Sequence, residues 1–154
     1  MRRFSVVLVL AALSACKPAE KPAAEPAMAP APAPAAPAAI NLADVAGNWT
    51  VKTMREGSDT VMITYTIAAT ADTTGWMVTL PGRKPMAMMV STSGDSVMTS
   101  MGPYASVLRK GVQVSTNGSF HLVGGKLVGH MTAHYSVKTA DSVVALRTEG
   151  EKMP

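Results

Sequence analysis

The residues with the widest chemical reach in this 154-residue chain are three histidines, a cluster of methionines and a single cysteine. His130 and His134 stand four positions apart, which on a strand is about 13 Å, too far for both to ligate one ion. They also lie opposite the apolar residues Leu127, Met131, Ala133, Tyr135 and Val137 of the same segment. His121 stands alone beside Phe120, so all three histidines are expected to face solvent or to make structural hydrogen bonds. Met86, Met88 and Met89 follow Pro85, and thioethers suit Cu(I). On a strand Met86 and Met88 share a face and Met89 points away, so two sulfurs at most could meet one ion. Copper handling is therefore a minor alternative, and methionine as adaptable core filler is the simpler expectation. Asp59, Asp95 and Asp141 each precede a Thr-Val or Ser-Val pair, and one carboxylate per loop suits a turn cap rather than a calcium site. Neither Gly-x-Ser-x-Gly nor His-Glu-x-x-His occurs, and no nucleophile-base pair follows from spacing. The expectation is a protein without metal, cofactor or catalytic activity.

These residues sit in a chain that changes character after Leu42. Beyond it β-branched residues alternate with polar ones, as in Val61, Ile63, Tyr65, Ile67 and Ala69, and as in Trp76, Val78 and Leu80. Breakers such as Pro81-Gly82, Gly94-Asp95 and Gly124-Gly125 recur between the runs. The pattern predicts strands near 48–54, 60–69, 75–80, 86–91, 95–101, 112–123, 126–137 and 142–149, with Asn117-Gly118 a bulge inside the sixth. No helical periodicity is sustained, and residues 104–110 read as a loop. The expected fold class is all-β: a small antiparallel up-and-down barrel of about eight strands, since an even count lets a meander close.

The residues before this domain have a different composition. Arg2 and Arg3 precede an apolar run from Phe4 to Leu13, which fits a secretory signal and is too short to span a bilayer. Leu13-Ser14-Ala15-Cys16 then resembles the lipobox of bacterial lipoproteins. The resemblance implies cleavage between Ala15 and Cys16, lipid attachment to the Cys16 sulfur and anchoring to a membrane by two or more acyl chains. Cys16 is the chain's one cysteine, so lipidation would leave no thiol for catalysis or for a disulfide. Lys17, rather than aspartate, follows it, which implies the outer membrane facing the periplasm. From Lys17 to Ile40 there are eleven Ala and seven Pro among 24 residues, a composition that forms an extended spacer rather than a core. The organisation expected is a signal peptide over 1–15, a lipidated tether over 16–40 and the barrel domain over 41–154.

Gly47-Asn48-Trp49 opens the first strand, and Gly-x-Trp at this place resembles lipocalins and related small calycin barrels. The resemblance implies that Trp49 closes the barrel floor beneath a basic residue of the last strand, for which Arg147 stands in position. It further implies a cavity for a small hydrophobic or lipidic ligand, lined by inward residues such as Trp49, Tyr65, Trp76 and Tyr135. The alternative is an adaptor of the cell envelope, with the barrel filled by its own side chains and a protein as partner. Nucleic acid is excluded as a partner on charge: from Asn41 onward ten Lys/Arg face eight Asp/Glu, with the basic residues scattered and few aromatics for stacking.

Overall fold

The computed structural model describes residues 38–154, and the signal peptide, Cys16 and the tether through residue 37 lie outside the described residues. Alternating apolar positions produce nine antiparallel strands: β1 (Gly47–Arg55), β2 (Val61–Ala69), β3 (Met77–Thr79), β4 (Met86–Ala87), β5 (Met89–Ser93), β6 (Ser96–Ala105), β7 (Gln113–Val123), β8 (Lys126–Tyr135) and β9 (Val143–Lys152). Their order across the sheet is β4-β3-β2-β1-β9-β8-β7-β6-β5. Sequential neighbours pair except β4 and β5, and β1 also pairs with β9, Trp49 opposite Lys152 and Thr53 opposite Thr148. Only Met88 separates β4 at one edge from β5 at the other, so the chain itself joins the two edges and the sheet forms a nearly closed barrel.

The expected strand over 86–91 is thus divided. Ala87 pairs with Met77 of β3, whereas Met89 pairs with Ser100 of β6, and the strand changes neighbours at Met88. The expected bulge at Asn117-Gly118 does not form: β7 runs in unbroken register with β8 from Val114↔Tyr135 to Val123↔Lys126. The register shifts instead between Met101 and Tyr104 of β6 and between Thr53 and Met54 of β1. Tyr104 and Ala105, expected in a loop, extend β6.

Turns assign the barrel two distinct ends. Helix α1 (Leu42–Val45), capped by the Asn41 side chain accepting from the Ala43 N–H at 3.1 Å, covers one end, here called the floor. The Ile40 N–H donates to the Gly94 carbonyl at 2.9 Å, which fixes the incoming chain to a hairpin turn at that same end. The last strand also finishes there, with Met153 N–H donating to Asn48 O at 2.8 Å. The loops following β1, β3, β6 and β8 lie at the opposite end, the mouth.

The main core contains Val45, Trp49, Val51, Ile67, Trp76, Val97, Phe120 and Leu127, each almost wholly buried. Burial of each large side chain contributes roughly 1.5–3 kcal/mol. Glycines on the inward face make room for the largest of them: Gly129 pairs with Phe120, and Gly150 pairs with Leu127. A Cβ at Gly150 would meet Leu127 Cβ at 3.1 Å and Val51 at 3.3 Å, so small and large residues alternate to fill the taper. All strand pairs and core residues of the barrel fall within the compact unit Ala35–Pro154, which therefore carries its own core. No helix among the described residues is long and apolar enough to cross a membrane.

Candidate functional site in the barrel interior

Inward alternation positions the site. On β1 the residues Trp49, Val51 and Thr53 face inward in turn, and on β2 so do Ile63, Tyr65 and Ile67. Above the packed floor Thr53, Ile63, Tyr65 and Ile67 help to enclose a cavity of about 60 Å³. Its wall is largely apolar, with Ile63, Leu80, Val114 and Leu146 among the lining residues, and it includes Met88, Met101 and Met131 from three different strands or their junctions. Val107 and Leu108 line it too and are 37% and 39% exposed, so the cavity reaches the surface at the mouth, through the β6–β7 loop.

Three hydroxyls inside the barrel have no hydrogen-bond partner among the described residues: Thr53 Oγ1, Tyr65 OH and Thr148 Oγ1. Thr53 and Thr148 face each other across β1 and β9, and Thr53 and Tyr65 both line the cavity. Burial pushes the Tyr65 phenol well above its ordinary pKa; the Thr53 hydroxyl nearby opposes that push, although the two make no hydrogen bond of acceptable geometry. Unpaired buried hydroxyls cost about 1–3 kcal/mol each, which sets Thr53 and Tyr65 apart from the other residues of a largely apolar wall.

Higher in the barrel, Tyr104 and Tyr135 line the wall near the mouth. Burial also raises the Tyr104 phenol pKa, with the Thr116 hydroxyl and the Arg83 charge pulling it down and the Tyr135 phenol adding to the rise. The Arg109 guanidinium stacks on the Tyr135 ring at 3.9 Å from its centre and pairs with Asp141 at 2.9 Å. The Ser106 hydroxyl accepts from the Leu108 and Arg109 N–H groups at 3.1 and 3.0 Å, which shapes the loop that forms the lip.

Of the four residues expected to line a cavity, Tyr65 and Tyr135 do so, and Trp49 and Trp76 belong to the floor. Both indoles are held there by backbone carbonyls: Trp49 Nε1 donates to Val45 O and Trp76 Nε1 to Asp72 O, each at 2.7 Å. The basic partner expected over Trp49 is also a different residue. Lys152 places its ammonium 5.5 Å from the Trp49 ring centre, because Lys152 is the position of β9 paired with Trp49. Arg147 pairs with Met54, five positions further along β9, and turns to the outer face. There it bonds Asp59, Glu149 at 2.6 Å and the Ser58 carbonyl at 3.3 and 3.4 Å.

The histidines lie away from the cavity. His121 Nδ1 is 3.1 Å from Ser96 Oγ and 3.4 Å from the Asp95 carboxylate, His130 is 3.4 Å from Glu56, and His134 is exposed on the outer face of β8. Among the described residues no three His, Cys, Asp or Glu side chains converge to hold a metal. Met88 is buried in the wall of the cavity and Met89 is 68% exposed, so the two do not face one site.

Sequence reasoning missed further residues of the chamber, some with a readable signal and some without. Thr53 shares the inward register of Trp49 and Val51, a signal that strict alternation carries. Tyr104 became a wall residue only because the register shift in β6 turns it inward. Comparison of the chain with protein-family models, with curated proteins and with solved structures finds no match.

Proposed function

We propose that this protein is a membrane-anchored periplasmic lipoprotein whose barrel, similar to the lipocalins in its Gly-x-Trp floor, binds a small ligand. The ligand has a mainly apolar body and at least one hydrogen-bonding group. The role is binding rather than catalysis. The observation that carries the reading is the pair of unpaired hydroxyls of Thr53 and Tyr65 in the wall of a chamber that reaches the surface beside Val107 and Leu108, with the unpaired Thr148 hydroxyl on the residue paired with Thr53. Buried polar groups in folded proteins are nearly always satisfied, and a ligand group reaching them would relieve the deficit.

The chamber of about 60 Å³ is small beside the several hundred Å³ usual for ligand pockets. Met88, Met101 and Met131 in its wall supply the adjustment a larger guest requires, because an unbranched thioether changes rotamer at little cost. The same small volume favours a second reading, the envelope adaptor with a barrel filled by its own side chains. The lipobox at Leu13–Cys16 supports the anchor, and Lys17 after Cys16 supports the outer membrane in both readings.

Native mass spectrometry of residues 35–154, purified after expression with and without added lipid extract, separates the two. A non-covalent adduct that disappears on denaturation, and is weakened by Tyr65→Phe, is the outcome expected of a binding protein. Protein that stays at its apo mass under both conditions favours the adaptor, for which crosslinking in the native envelope would recover a protein partner.

A further inference from the structure

The β6–β7 connection, residues 106–112, is folded on itself. The Ser106 N–H donates to the Val112 carbonyl at 2.8 Å, and the Val112 N–H donates to the Arg109 carbonyl at 3.3 Å. The Ser106 hydroxyl, accepting from the Leu108 and Arg109 N–H groups, completes the set. These bonds tie the turn to its own base, just beyond Ala105↔Gln113, the last rung of the β6–β7 ladder. Among the described residues, none of the backbone hydrogen bonds of this loop reaches another loop.

At the tip of the loop Val107 and Leu108 line the chamber while remaining partly exposed, and neither belongs to the buried core. Segments with few buried apolar contacts are the ones that open locally. What joins this loop to the neighbouring β8–β9 loop is Arg109. Its guanidinium lies 3.9 Å from the centre of the ring of Tyr135, a residue of the chamber wall, and 2.9 Å from the carboxylate of Asp141 in the β8–β9 loop. One oxygen of that carboxylate takes Arg109 and the other accepts from the Thr139 hydroxyl. The Thr139 carbonyl in turn accepts from the Ser142 N–H at 3.0 Å, so the group that receives Arg109 is itself held in place.

We infer that residues 106–112 form a lid over the chamber and that the Arg109–Asp141 pair is its latch. A guest enters or leaves when the latch releases and the turn swings as one piece on the Ala105–Gln113 rung. This rests on the ligand-binding reading above and names what regulates that same site. The materials of the latch suit the task. A partly exposed ion pair is weak and screened by salt, so it releases readily, and the guanidinium stacked on the Tyr135 face guides it back into register. Because the closed form holds the guest, more frequent opening changes how fast the guest passes and not how tightly it is held: entry and exit rise together with the open fraction.

The test uses residues 35–154 with isotopically labelled methionine methyls, and xenon as the guest, a single apolar atom of the kind that enters dry apolar cavities. Xenon should shift the methyl resonances of Met88, Met101 and Met131 in the wall and leave that of the exposed Met153 in place. Their broadening as xenon exchanges gives the entry and exit rates. Asp141→Asn should raise both rates about fivefold with the affinity unchanged, and Arg109→Gln should raise them at least as much. Arg147→Gln, whose ion pairs lie on the outer face, should alter neither rate. Raising the salt should speed exchange in the parent protein and not in Asp141→Asn. Rates that ignore both Asp141→Asn and salt overturn the latch and leave a binding barrel in place. An affinity that falls without faster exchange would make the pair a structural contact, and would also overturn the inference. Wall methyls that never shift under xenon mean a chamber closed to guests, which overturns the ligand-binding reading along with the lid.

Discussion

The ammonium of Lys152 lies 5.5 Å from the centre of the Trp49 ring, and its stem passes directly over Gly47, where a Cβ would stand 2.8 Å from Lys152 Cε. Gly47 has φ +133°, a conformation that side-chain-bearing residues rarely adopt. The Gly-x-Trp at the start of β1 therefore has a physical account: the glycine turns the chain from α1 into the sheet and leaves the space the lysine stem fills. Lys152→Met keeps the stem and removes the charge, and should cost about 0.5–1 kcal/mol with a change in the near-ultraviolet dichroism of tryptophan. Arg147→Met should leave that signal unchanged and cost at most about 1 kcal/mol, because Arg147 serves a solvent-exposed network. A tryptophan signal that follows Arg147 and ignores Lys152 would contradict the assignment.

Removing the unpaired phenol should stabilise the empty protein. Tyr65→Phe retains the ring and deletes an unsatisfied hydroxyl, so chemical denaturation should show a gain of about 1–2 kcal/mol. The raised pKa adds a pH signature. Between the ordinary tyrosine pKa near 10 and the higher folded value, the native state holds a proton that the unfolded chain releases, so stability falls as pH rises above about 10. Tyr65→Phe should flatten that fall. A variant less stable than the parent at neutral pH would mean that the hydroxyl has a partner after all.

The inward glycine of β8 is a fixed requirement of the packing. A Cβ on Gly129 would run into the Ser119 carbonyl oxygen and stand 3.0 Å from Phe120 Cα, both backbone atoms that cannot move without opening the β7–β8 ladder. Gly129→Ala should destabilise by about 3 kcal/mol or more, at the upper end of overpacking effects. Gly82→Ala is the contrast: nothing lies within 4 Å of its Cβ, so it pays only for its positive φ of 70°, a cost of about 1–2 kcal/mol. Thermal unfolding of the two variants compares them directly.

Acid should loosen the loops before it unfolds the barrel. The Thr139 hydroxyl, and then Arg109, hold the Asp141 carboxyl below its ordinary pKa, and the Thr74 hydroxyl and N–H do the same for Asp72. A carboxylate with a depressed folded pKa contributes its stability above the unfolded value near 4 and loses it as pH falls through the folded one. The unfolding midpoint should therefore hold steady from about pH 5 to 8 and drop below about pH 4. Asp141→Asn should shallow the drop. A profile already falling at pH 6 would point to histidines instead.

Strand number and order were largely readable from the alternation of apolar residues and the recurrence of Gly, Pro and Asp, because a two-residue period fixes which face each side chain takes. The same period could not show that the strand around Met88 changes neighbours, since that depends on barrel closure and not on any local pattern. Tyr65 and Tyr135 were legible as lining because they sit mid-strand on inward faces. Trp49 and Trp76 share that alternation yet lie at strand beginnings, so they pack the floor below the chamber. Lys152 was missed in favour of Arg147 because the β1–β9 register decides which cation stands opposite Trp49, and register between the first and last strands leaves no mark in either sequence. The rim of Tyr104, Tyr135 and Arg109 assembles from two strands, one loop and a register shift, none of which composition reveals.

Residues 38–41 reach the barrel at its floor, and residues 152–154 leave it there. Anything that holds the protein by either terminus, whether a bead, a sensor chip or a fused partner, grips it by its blind side. Neither attachment is then joined at the mouth, which stands at the opposite end of the barrel from both ends of the described chain.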